Sequence, residues 1–216
     1  MQPPDSTTEP ADGHVDPENE AATLASLVGS RICHDMANPV GAIANGVELL
    51  TLGGVAPDGP EVALVSDSVH HATSRLRLYR VAFGVAGPRH LLGPGETRKL
   101  LSDAYASTRL SINWDISGDQ PRPVVKLAFL LLQCAEVALP RGGNARVSVK
   151  GKQWSIEGRA ERIAVNPSLF GLLAGGPIPL SLPPGQVQFV LAPRTAASLG
   201  RTIHHEVGDG KFTLTF

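Results

Sequence analysis

Apolar positions between residues 20 and 52 recur at helical intervals. At about 100° per residue, Leu24, Val28, Ile32, Met36, Val40, Ile43, Val47 and Leu50 share one broad face, and Leu27 falls on the other side. "GGVAPDG" at 53–59 is a turn signal. A second helix is predicted over 60–83, with Pro60 suited to its first turn. Its apolar positions Val62, Val65, Val69, Ala72, Leu76, Tyr79 and Phe83 follow the alternating three-and-four spacing of a bundle seam. Two long helices joined by a short turn make an antiparallel hairpin. A lone hairpin with two apolar stripes cannot bury both, so pairing with a second copy into a four-helix bundle is the economical solution.

Beyond "GVAGPRHLLGPG" (84–95) the pattern changes. Residues 96–107 read as a helix and "RLSINWDIS" (109–117) as an alternating strand. "PVVKLAFLLLQCAEVAL" (123–139) is a strongly apolar helix, and "NARVSVKG" with "QWSIEGRAE" reads as a hairpin. A short helix at "NPSLFGLLAGG", an amphipathic helix over 186–199 and a closing hairpin in "RTIHHEVGDGKFTLTF" complete the chain. The fold class is therefore α+β: a helical hairpin, then an α/β sandwich of helices over a mostly antiparallel sheet. Trp114 and Trp154 fall in strands and belong to the core.

Composition narrows the setting. The 216 residues are 42% hydrophobic with mean hydropathy +0.02, enough for a substantial core. Nineteen basic against 20 acidic side chains, net −1, argue against a nucleic-acid binder. Cys33 and Cys134 stand far apart, which points to a reduced intracellular protein without a disulfide framework. No apolar run reaches about 18 residues and no secretory signal is visible, so no membrane association and a cytoplasmic location are expected. Residues 1–19 are acidic, proline-containing and free of Lys and Arg, the composition of a disordered tail.

The candidate chemistry lies in "SRICHDMANPVGAIANG" (30–46). His34 lies roughly opposite the apolar stripe, and Arg31, Asn38, Gly41 and Asn45 fall within about 60° of it. A helix that turns His, Asn, Arg and glycine to solvent offers a docking surface. A neutral imidazole nitrogen is a good nucleophile toward an acyl phosphate. Asp35 could orient the ring or accept the proton of its other nitrogen, and Asn38 could position a phosphoryl oxygen or a water. Pro39 removes the hydrogen bond to the Asp35 carbonyl and should bend the helix just past the histidine. Cys33 is expected inside the bundle. His70 and His71 flank the seam as surface residues, as do His204 and His205, which face opposite sides of a strand. Arg75, Arg77 and Arg80 form a solvated face, of which Arg75 could approach a phosphate or an acidic partner.

"HDMANP" resembles the H-box of sensor histidine kinases, H-[D/E]-x-x-[N/T]-P. "SRICHDMANPVGAIANGVELL", "RLRLYRVAFGVAG" and "ALPRGG" in that order resemble the ChpT family of alphaproteobacterial histidine phosphotransferases. The likeness runs from about residue 24 to the C-terminus, strong to about 90 and patchy beyond 110. It implies a homodimer built of an acidic tail (1–19), a dimerisation and phosphotransfer hairpin (20–88) and a degenerate, Bergerat-like relative of the kinase ATP-binding domain (89–216). It also implies a phosphorelay in which His34, with Asp35 and Asn38, passes phosphoryl from the receiver of a CckA-like hybrid kinase to CtrA-like and CpdR-like regulators. The boxes a working kinase needs are missing. "LLLQCAEVAL" offers only Gln133 and Glu136 where asparagines should stand, and no DxGxG or GxGxG occurs in 100–216. No ATP site and no autophosphorylation are expected, with Mg²⁺ supplied by the partner receiver. The competing reading is an inert scaffold or inhibitor that binds receivers or a kinase.

Overall fold

The computed structural model describes residues 13–52, 59–85, 87, 90–208 and 210–216. Two helices lead, α1 (Glu20–Leu52) and α2 (Pro60–Ala82), packed along each other. The remaining elements are β1 (Leu91–Leu92), α3 (Pro94–Tyr105), β2 (Leu110–Asp115), β3 (Gln120–Pro121) and α4 (Arg122–Ala138), then β4 (Gly143–Lys150), β5 (Gln153–Arg159), α5 (Pro167–Gly171), α6 (Gln188–Ser198), β6 (His204–Gly208) and β7 (Lys211–Thr215). The fold is the expected one, a helical hairpin followed by a mixed α/β sheet domain.

The sheet runs β2-β4-β5-β7-β6. Every pairing is antiparallel except β2 with β4, which are parallel. A parallel pair needs a crossover, and α4 provides it. Alternation puts Trp114, Val147, Ile156, Phe212 and Leu214 on the face covered by helices. Trp114 and Trp154 are buried as expected and meet edge to face with centroids 5.6 Å apart. The helix α4 runs through the middle of this core, its Leu127–Leu132 stretch fully enclosed.

The hairpin leans on this domain, and that shifts which residues are covered. Leu24, Leu27, Val28, Ile32 and Met36 of α1 pack against the core. Leu27, placed on the far side by the helical wheel, is thus partly buried against the core as well. On α2 the seam prediction holds for Ala72 and Tyr79, but Leu76 is exposed while Leu78, Val81 and Ala82 are buried. The last turns of α2 face α3 and α4, so burial there follows that contact and not the hairpin seam. Farther along, Val40 and Val47 on α1 and Leu64 and Val69 on α2 stand about half exposed.

Part of the predicted tail is ordered. His14 bridges Pro179, Val15 N–H donates to Ile178 O at 2.8 Å, and Asp16 caps a short 3₁₀ turn over Pro17–Asn19. This arm pins the proline-rich segment 175–185, whose period-free sequence gives no sign of its partner. Residues 1–12 of the tail and most of the predicted turn, 53–58, lie outside the described residues.

Candidate functional site

The helix α1 continues without interruption through Pro39, whose ring is buried. One turn before it, Arg31, His34, Asp35 and Asn38 line a cleft of about 530 Å³. The opposite wall comes from α2 through Asp67, Ser68, His71 and Arg75, and the end from Ser107 and Thr108 between α3 and β2. His34 stands at the mouth with its side chain 84% exposed, against 15% for Asp35.

The imidazole Nδ1 is 3.1 Å from Asp35 Oδ1. An ionised carboxylate only accepts, so Nδ1 carries the proton and Nε2 keeps its lone pair free. The other oxygen, Oδ2, accepts from Arg31 Nε at 2.8 Å and from the Tyr79 hydroxyl. Burial pushes the Asp35 carboxyl up, but the bonds from Tyr79 and His34 and the charges of Arg31 and Arg75 outweigh it, and its pKa lies below the ordinary value. Arg31 also donates through Nη1 to the Gly185 carbonyl, which ties α1 to the proline-rich segment.

Behind this group, Arg75 meets Glu136 Oε1 on α4 at 3.3 Å. Its guanidinium lies 5.9 Å from the Tyr79 ring centroid and 5.5 Å from that of Tyr105. The Tyr105 hydroxyl donates to the second oxygen of Glu136 at 3.4 Å. The hairpin and the second domain therefore share one polar network that reaches the carboxylate beside His34.

Of the residues singled out in the sequence, His34, Asp35, Asn38, Arg31 and Arg75 come together. Gly41 and Asn45 are exposed farther along α1 and do not line the cleft. Arg31 and Arg75 are mostly buried and engaged, where solvent-facing positions were expected. The cause is the second domain, which supplies them with Gly185 and Glu136. Cys33 is exposed in the single chain, on a stripe with Gly29, Ala37, Val40, Ala44 and Val47 that none of the described elements covers. Its expected place inside a bundle would need a second copy. Sequence reasoning read Tyr79 only as a seam residue. A tyrosine among aliphatic seam positions has a hydroxyl to satisfy, and that was the available signal. His71, expected at the surface, is half-buried in the cleft wall.

Among the described residues no group of three or more His, Cys, Asp or Glu could hold a metal ion. Among the same residues no helix is long and apolar enough to cross a membrane.

A family model for the histidine phosphotransferase C-terminal domain matches residues 94–211. The protein phosphotransferase ChpT of Brucella abortus (strain 2308) is 33% identical over 161 residues, covering 72% of this chain and 76% of that protein. The solved structure of a bacterial phosphotransferase superposes with a TM-score of 0.78 at 27% identity, over 94% of this chain and 98% of the other. With most of its length matched in both sequence and fold, the chain belongs to the ChpT family of histidine phosphotransferases.

Proposed function

We propose that His34 is the phosphoacceptor of a His-Asp phosphorelay. The observation that carries the reading is an exposed imidazole whose Nδ1–H is held by a buried carboxylate, leaving Nε2 outward. In the forward step the Nε2 lone pair attacks the phosphorus of a receiver's aspartyl phosphate. The N–P bond forms as the P–O bond breaks, and the electron pair leaves on the receiver's carboxylate. The ring becomes a phosphorylated imidazolium, whose positive charge Asp35 stabilises through the Nδ1–H bond. The second half reverses these bonds toward a regulator's aspartate. Asn38, exposed at the cleft, is in position to bond a phosphoryl oxygen.

The partners proposed are the receiver of a CckA-like hybrid kinase and CtrA-like and CpdR-like regulators, met in the cytoplasm, with Mg²⁺ held by the receiver. The proposal includes no ATP-dependent kinase activity. In its support, Glu136, one of the two polar side chains where a kinase carries its asparagines, is already engaged by Arg75 and the Tyr105 hydroxyl. We also propose a homodimer, with the uncovered α1 stripe and the half-exposed Leu64 and Val69 of α2 at the interface.

The test is transfer of label from a radiolabelled, phosphorylated hybrid-kinase receiver, with His34→Ala as control. Acid-labile, base-stable label on the wild type alone is the expected result. Receiver binding without label on the wild type would make the protein a scaffold.

A further inference from the structure

We infer that Tyr79 is a positioning residue for His34: its phenol fixes the Asp35 carboxylate in the rotation that presents Nε2 of the imidazole outward. The inference rests on the reading of His34 as phosphoacceptor.

Consecutive helical side chains diverge by about 100°, so the His34–Asp35 contact exists only while the carboxylate is turned across the helix surface. An unanchored aspartate would sample other rotamers. Here Oδ2 is taken by two donors on opposite sides, Arg31 Nε from the same helix and the Tyr79 hydroxyl from α2. That leaves Oδ1 for Nδ1–H of His34. A buried phenol needs an acceptor, and Asp35 is the acceptor it has. Tyr79 is itself fixed, its ring 5.1 Å from that of Phe83 and its other neighbour Arg75 paired with Glu136 of α4. The positioning of the reactive nitrogen thus extends into the second domain.

The groups around the Asp35 carboxylate are Arg31 and His34 from α1, Tyr79 and Arg75 from α2, and Glu136 from α4 behind Arg75. Asp67 and His71 of α2 line the same cleft, and the proline-rich segment contributes the neutral Gly185 carbonyl. Burial and the bond to Asp35, against the pull of Arg75, push the Tyr79 phenol to about 12, so it remains a donor throughout the working range.

Tyr79→Phe removes the donor and keeps the ring. Two readouts test it. In ¹⁵N spectra of the full chain, wild-type His34 is expected as the Nδ1–H tautomer, and Tyr79→Phe as a mixture of both. In transfer from a labelled, phosphorylated receiver domain, the variant is expected to lose about tenfold in rate at neutral pH, the scale of one hydrogen bond to a charged group, with unchanged KM. Its acid limb moves to higher pH, because Asp35 loses a donor that holds its pKa down. An unchanged tautomer and pH profile would overturn the inference, as would a loss expressed in KM alone. Label on His34→Ala equal to wild type would instead overturn the phosphoacceptor reading, while the tautomer comparison still decides the role of Tyr79.

Discussion

Removing the Glu136 carboxylate should destabilise the fold far more than removing a surface carboxylate, because it strands a buried cation. The Arg75 and Glu136 side chains are 13% and 27% exposed, and their contact is 3.3 Å. Arg75 Nη1 is already buried without a hydrogen-bond partner. After Glu136→Ala the guanidinium keeps only the faces of Tyr79 and Tyr105, and the Tyr105 hydroxyl loses its acceptor. Breaking a fully buried pair costs about 3–5 kcal/mol, and an exposed pair is worth about 0–1 kcal/mol. With a quarter of the carboxylate in water, the expected loss is about 2 kcal/mol. Glu136→Gln keeps an acceptor for Tyr105 and should lose about half of that. The internal reference is Asp115→Ala, which breaks the Arg146–Asp115 pair, 56% and 51% exposed, and should leave the unfolding midpoint essentially where it is, because solvent screens an exposed pair. Urea unfolding at fixed protein concentration, followed by the near-ultraviolet signal of Trp114 and Trp154, measures all three. With an m-value of about 2 kcal/mol/M, Glu136→Ala should lower the midpoint by about 1 M. Equal losses for Glu136→Ala and Asp115→Ala would refute the reasoning, since burial would then be making no difference.

Acidification should cost stability in two stages. Burial, Arg75 and nearby His70 depress His71, so the unfolded chain takes up its proton first, and stability begins to fall as pH drops through about 6.5. His71→Gln should flatten that first stage in a pH series of unfolding midpoints and leave the lower, carboxylate stage, to which Asp35 with its depressed pKa contributes as pH falls toward its folded value. Gly158→Ala should cost about 2 kcal/mol in urea unfolding, because a Cβ on β5 would overlap the buried Phe212 ring of β7. Val40→Glu with Val47→Glu should convert the proposed dimer to a monomer in light scattering; a dimer that survives both would move the interface off this stripe.

The local parts of the site were legible in sequence and the long-range parts were not. His34, Asp35 and Asn38 lie within one and a half turns of a single helix, so spacing alone placed them together. Arg31 was located but misjudged, because its long-range partner is a backbone carbonyl at Gly185, and a carbonyl leaves no mark in a sequence. Arg75 was drawn as solvated for the same kind of reason: Glu136 is a partner 61 positions away. Helix α2 reads as one seam, yet it serves α1 over most of its length and α3 and α4 at its end, and periodicity cannot announce a change of neighbour. The ordered arm at residues 13–19 has tail composition and is fixed by two backbone hydrogen bonds, Val15 N–H to Ile178 O and Leu180 N–H to Gly13 O, on either side of Pro179.

The placement of charge around His34 suits a relay better than a store. Arg31 and Arg75 line the same cleft as His34, but their hydrogen bonds go to Asp35, Gly185 and Glu136 and none goes to the ring among the described residues. From there they keep the carboxylate ionised and so strengthen its hold on Nδ1–H. With Nε and Nη1 of Arg31 and Nη2 of Arg75 already engaged, neither guanidinium presents a free fork for the bidentate grip on phosphoryl oxygens that would be among the strongest available contacts. Such a grip would stabilise the phosphorylated histidine and slow the second transfer, since only groups that favour the transition state over the bound intermediate speed a step. With a single hydrogen bond assigned to the ring among the described residues, the phosphoryl group proposed to form on Nε2 stays facing the cleft mouth, open to the next receiver.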